Sequence, residues 1–88
     1  MLRISAINDS DQDIQFQLEG KLIGPWVDEL RRLSEAALLQ GKKVSLDLDK
    51  LRFVDVQGVA LLHDLSEKQV SHFNCSPFIS QQLKEAAQ

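Results

Sequence analysis

Four groups of side chains in this 88-residue chain have the types and spacing to do chemistry. Asp47, Asp49 and Asp55 fall close together near the end of one apolar stretch, where carboxylates could hold a metal or divide the roles of acid and base. Asp9, Asp11 and Asp13 alternate like the opening of a calcium loop. That loop needs Gly at its sixth position and Glu at its twelfth, and here Ile14 and Gly20 stand there, so the segment reads as a solvated turn. His72 and Cys75 could pair as base and nucleophile. Three residues apart in an extended segment they point to opposite faces, and Cys75 reads better as a small buried hydrophobe. His63 and Asp64 adjoin on a helix, but no second His stands one turn away to complete a metal site. No cofactor is expected.

The elements that must position these residues follow from periodicity. Leu2, Ile4 and Ala6 alternate with Arg3 and Ser5, predicting a strand, and Ile14, Phe16 and Leu18 predict a second strand paired with it as a hairpin. Gly20 bends the chain, and Leu22-Ile23 reads as a short further strand. Gly24-Pro25 opens a helix, with Pro at the first helical position. Its apolar face is Trp26, Leu30, Leu33 and Ala37, widened by Leu38, and Gly41 caps its end. Val44, Leu46 and Leu48 form a central strand, with Asp47 and Asp49 at outward positions. Leu51, Phe53 and Val54 are the apolar content of a loop. Asp55 caps the next helix, which carries Val59, Leu62 and Leu65 inward and runs to about Lys68. Val70 to Cys75 reads as a last strand. Ser76-Pro77 starts a C-terminal helix with Ile79, Leu83 and Ala86 on one face. A strand delivering its carboxyl end to a helix N-terminus is where α/β proteins place their sites. Gln57 falls in the first turn of that helix, and Gly58 where the chain turns tightly.

Bulk properties narrow the function. The chain is read as one domain over residues 1–88, and 43% apolar with 26% charged residues is the balance of a soluble globular protein. A net charge of −3 with basic residues scattered as Arg31-Arg32 and Lys42-Lys43 excludes a nucleic-acid footprint. A single cysteine suits a reducing compartment, and no apolar run approaches the roughly 20 residues of a membrane span, so a cytoplasmic protein is expected.

The stretch from Val44 to Leu65 also resembles the central segment of the STAS domain, the family of anti-sigma factor antagonists and related regulatory modules. There a hydrophobic strand runs into Asp-Ser-Ser-Gly or Asp-Ser-Thr-Gly and then a Leu-rich helix. Here the turn reads Asp55-Val56-Gln57-Gly58. The resemblance implies a single-domain α/β fold, a mixed β-sheet packed against α-helices. It implies regulatory protein–protein interaction rather than catalysis, with a kinase-like anti-sigma factor as partner. The partner-facing residues would be Asp55, Val56, Gln57, Gly58, His63 and Asp64. The family's phosphorylated Ser or Thr corresponds to Gln57, which has no hydroxyl, so this chain is degenerate at the phospho-acceptor. Val54-Asp55-Val56-Gln57-Gly58-Val59-Ala60-Leu61-Leu62-His63 is also similar to the small STAS subunits that clamp the ATPase of lipid-transport ABC systems. An ABC ATPase is therefore the alternative partner. A ligand-binding or enzymatic domain using the acidic turn between Asp49 and Asp55, and a switchless scaffolding or antitoxin-like partner, are the other classes.

Overall fold

In a computed structural model, which describes residues 1–86, the alternating segments become one four-stranded sheet. The order along the chain is β1 (Leu2–Ile7), β2 (Asp13–Leu22), α1 (Pro25–Leu39), β3 (Lys43–Val54), α2 (Val56–Glu67), β4 (Ser71–Phe73) and α3 (Pro77–Ala86). The sheet order is β1-β2-β3-β4. β1 and β2 are antiparallel, and β2–β3 and β3–β4 are parallel, so the sheet is mixed.

Register aligns the apolar positions of neighbouring strands. Ala6 faces Phe16, Phe16 faces Leu46, and Ile14 faces Val44. Because side chains alternate along a strand, Ile14, Phe16, Leu18, Val44, Leu46 and Leu48 share one face, and all are buried. The helices cover that face with Val27, Leu30, Ala37, Leu61, Leu62, Leu65 and Ile79. The other face carries a polar row, in which Ser5, Gln17 and Asp47 are register partners in turn.

Several expected boundaries move. Leu22-Ile23 is not a separate strand: β2 shifts register around Gly20 and continues pairing with β3 to Leu22. Leu51 to Val54 is not a loop but the second half of β3, paired through Leu51, Phe53 and Val54 to the end of β2. The apolar residues there do not alternate strictly because β2 and β3 slip past one another, so the strand period is broken in the sequence. The last strand is three residues, not six, and Cys75 lies beyond it. The buried stripe of α1 is Val27, Leu30, Ser34 and Ala37, rotated from the expected one, with Trp26 and Leu33 half-buried at its edge. Ser34 is fully buried, and its hydroxyl has no hydrogen-bond partner among the described residues.

The helix ends follow their local chemistry. Past Leu39, Gly41 sits at φ 79°, its N–H donates to the Leu38 carbonyl (3.0 Å), and the Lys42 N–H reaches the Ala37 carbonyl (3.2 Å). These are the paired bonds of a Schellman ending, which needs a residue at ease in the left-handed region. At α3, the Ser76 hydroxyl accepts from the Ile79 N–H (3.2 Å) just before Pro77. The expected inward position of Ala86 lies outside the described side chains. Among the described residues no helix is long and apolar enough to cross a membrane.

Candidate functional site

The junction of β3 and α2 is built almost entirely from the chain's own hydrogen bonds. Asp55 leaves the strand in an extended conformation and caps α2. Its Oδ1 accepts from the Gly58 N–H at 2.7 Å, and its Oδ2 accepts from the Gly24 N–H at 3.1 Å. Gly24 is the N-cap residue of α1 and offers no side chain of its own. One carboxylate therefore serves the N-terminal ends of two helices, where the partial positive charges of both favour it. The Asp55 N–H donates to the Leu22 carbonyl (3.2 Å), and its carbonyl accepts from the Val59 N–H (2.9 Å). Every polar group of Asp55 is thus engaged inside the molecule.

Gly58 is fixed by space. A Cβ placed on it would lie 2.7 Å from the Leu22 carbonyl oxygen and 2.7 Å from Val54 Cγ1. The first turn of α2 thus rests directly on the backbone of β2. Its φ is not in the left-handed region, so crowding rather than backbone conformation calls for glycine.

What the junction turns outward is different. Val56 is 84% exposed, and Gln57, Ala60, His63, Ser66 and Glu67 also face solvent. The outer face of α2 is uncharged over its first turns and acidic over its last, with no Lys or Arg between Val56 and Glu67. Asp64 is half-buried, with Lys68 Nζ 3.6 Å away. Lys68 also donates to Glu35 at 2.9 Å, which ties the last turn of α1 to the end of α2 and raises the lysine's pKa. His63 reaches the Leu83 carbonyl on α3 at 3.1 Å. A carbonyl only accepts, so the Nε2 carries the proton.

The acidic residues do not converge. Because residues 43–54 are all strand, an extended rise of about 3.3 Å per residue puts Asp55 roughly 20 Å beyond Asp49. Asp47 lies on the outward face of the sheet as expected, but it is not open to solvent. It is 9% exposed, and its Oδ1 accepts from the Asp49 N–H and from Asn74 Nδ2, both at 3.1 Å. It fastens the segment after β4 onto β3. Asp9 pairs with Lys42 (2.7 Å), while the Ser10 hydroxyl holds the hairpin turn by accepting from the Asp13 N–H (3.0 Å). Among the described residues no group of three or more His, Cys, Asp or Glu side chains is placed to hold a metal ion. Cys75 is half-buried, and burial pushes its thiol pKa up, away from a reactive thiolate.

Two residues at the junction had no signal in the sequence. Phe53 is on β3 and 38% exposed, and Gln82 of α3 donates to the Val54 carbonyl at 3.1 Å. With Val56 and Val59 they line a shallow groove of about 440 Å³ between α2 and α3. A glutamine on an amphipathic helix reads as solvated, and only tertiary structure brings it to Val54.

The fold and this junction define a class of small α/β domain, a mixed four-stranded sheet covered by three helices. Solved structures share it. The anti-sigma factor antagonist SpoIIAA in its unphosphorylated form matches with a TM-score of 0.76 at 19% identity, covering 93% of this chain and 82% of that one. The Bacillus cell fate determinant SpoIIAA in the phosphorylated form gives 0.72 at 18% identity, covering 96% and 83%. An antisigma-factor antagonist STAS domain from Rhodobacter sphaeroides gives 0.59 at 15%, covering 83% and 86%. At such identities these likenesses establish the fold. No curated protein matches the chain by sequence. The family profile described as "Mlab, STAS domain" matches residues 5–73, and the chain belongs to the STAS domain family.

Proposed function

We propose that this protein is a regulatory binding module of the anti-sigma factor antagonist kind, acting in the cytoplasm. It docks on an anti-sigma partner of kinase-like fold through the first turns of α2, and carries no phosphorylation switch there. One observation carries this reading: Val56, 84% exposed, and its solvent-facing neighbours Gln57 and Ala60 sit on a turn that Asp55 and Gly58 hold rigid from beneath. A preformed surface loses little entropy on binding. Of the residues expected to face a partner, Val56, Gln57 and His63 supply the surface and Asp64 its acidic margin. Asp55 and Gly58 act through the turn they hold. Gln57 takes the position of the family's phospho-acceptor and has no hydroxyl to receive a phosphate, so binding is constitutive or controlled elsewhere.

The test is calorimetric titration of the purified chain against candidate anti-sigma factors from its source cell, with the ABC ATPases of that cell as a second arm. Gln57→Glu adds a charge and almost no volume. At a helix N-terminus it holds or raises stability, by about 0.3–1 kcal/mol. Against a partner surface matched to an uncharged residue it weakens binding, as part of a phosphate would. The expected result is an unchanged or higher melting temperature with lower affinity for an anti-sigma factor. Unchanged affinity for a confirmed partner places the interface elsewhere, and binding confined to an ABC ATPase moves the role to transport.

A further inference from the structure

α3 does more than close the core. Its apolar side, Ile79 and Leu83, is buried, and two polar ties cross between it and the α2 region in opposite directions. Gln82 of α3 donates to the Val54 carbonyl at 3.1 Å, and His63 of α2 donates to the Leu83 carbonyl at 3.1 Å. The Val54 carbonyl belongs to the single peptide group that joins β3 to the capping residue. The N–H of that same group, on Asp55, donates to the Leu22 carbonyl at 3.2 Å. A peptide group is planar, so a bond to each end fixes its orientation. β2 holds one end and α3 the other. That orientation sets the direction in which Asp55 leaves the strand, and so where its carboxylate meets Gly58 and Gly24.

Gln82 is also an expensive choice of residue. Its Oε1 is buried with no hydrogen-bond partner among the described residues. An apolar side chain of similar size would avoid that desolvation. What glutamine supplies that leucine cannot is the donor aimed at Val54. We infer that Gln82 is a positioning residue for the α2 turn, and that α3 is a clasp through which the geometry of the docking surface can be controlled. Anything that lifts α3 frees one end of the junction peptide and loosens the cap. The functional consequence rests on the docking reading above, but the coupling between α3 and the turn does not need a partner to be measured.

The experiment is amide hydrogen exchange by NMR on the full ¹⁵N-labelled chain, comparing wild type with Gln82→Leu and Gln82→Glu. Leucine removes both the donor and the unpaired oxygen, and glutamate keeps the shape while offering only acceptors at neutral pH. Both variants are expected to lose protection at the Asp55, Gly58 and Val59 amides by about three- to tenfold, the effect of one lost hydrogen bond on local opening. Protection in the β1–β2 hairpin is expected to hold. Wild-type protection at Gly58 and Val59 in either folded variant overturns the inference. Uniform loss across the chain overturns it too, because that pattern reports global stability. If Gln82→Leu does not fold, Gln82→Glu decides alone. Failure here leaves the docking proposal standing, since that is read by titration, and success here does not establish it.

Discussion

Gly58→Ala is the substitution whose sign is most informative. Gly58 is the third residue of α2, with helical backbone angles, so backbone propensity alone favours alanine by up to about 1 kcal/mol. Space opposes it. The new methyl would sit 2.7 Å from the Leu22 carbonyl oxygen, 2.7 Å from Val54 Cγ1 and 3.2 Å from Leu22 Cγ. Carbon contacts are comfortable at about 3.5–4.0 Å, so α2 must retreat from β2 by something on the order of 1 Å. Neither neighbour can easily give way: the Leu22 carbonyl accepts from Asp55, and the Leu22 and Val54 side chains are 0% and 1% exposed. With two neighbours at 2.7 Å the upper part of the usual overpacking range applies, about 2–3 kcal/mol, which outweighs the propensity gain and leaves a net loss of about 1–2 kcal/mol. For a domain of this size that is a melting temperature lower by about 4–8 °C for each kcal/mol. Gly58→Val, with two further methyls, should lose about 2–4 kcal/mol on the same reasoning. Urea unfolding followed by circular dichroism gives the free energies, with an unchanged m-value confirming that the native and unfolded states are comparable. A Gly58→Ala protein as stable as wild type, or more stable, would show that α2 does not rest on β2 in the way described.

Asp55→Ala should cost about 1–2 kcal/mol in the same assay by removing the α2 cap, while Asp55→Asn keeps an acceptor for Gly58 but sets an amide group against the Gly24 N–H, and should fall between. Ser34→Ala should stabilise by about 0.5–1.5 kcal/mol, because it removes a buried hydroxyl without a partner and improves helix propensity; a lower melting temperature would mean that the hydroxyl is bonded. Cys75 should react with iodoacetamide more slowly in the folded chain than in urea at pH 8, since burial raises its pKa and so lowers the thiolate fraction. The sign for stability follows: the thiol's contribution is present below its unfolded pKa and is lost as pH rises through the raised folded value. Equal alkylation rates would refute the burial argument.

The features readable from sequence are those with a local cause. The hairpin strands show in their alternation, and Pro25, Gly41, Asp55 and Ser76 mark helix ends because capping chemistry involves only residues within a turn. The second half of β3 was hidden by the register slip against β2, which spoils the period of two. The burial of Asp47 is not legible because its partner Asn74 is 27 residues away. At the junction, the exposed Gln57 follows from the turn motif, and the cap on α2 is local. The bond from Asp55 to Gly24 and that from Gln82 to Val54 span 31 and 28 residues, and no spacing rule reaches so far.

Strand order in this sheet equals chain order, β1-β2-β3-β4. No strand has to be threaded between two that are already paired, so the sheet can grow from one edge as the chain leaves the ribosome. The β1–β2 hairpin can form first from nearby residues, β3 adds to its exposed edge once α1 has been made, and β4 follows after α2. At synthesis rates of about 5–20 residues per second, each addition has time to settle before the next element appears. Among the described elements, α3 is made after the whole sheet. Until it is, the apolar flank of α2 and the Val54 carbonyl are open, so all four strands are made before the α2 turn is finished. The element made after the sheet is thus the one that completes the turn where partner docking is proposed to begin.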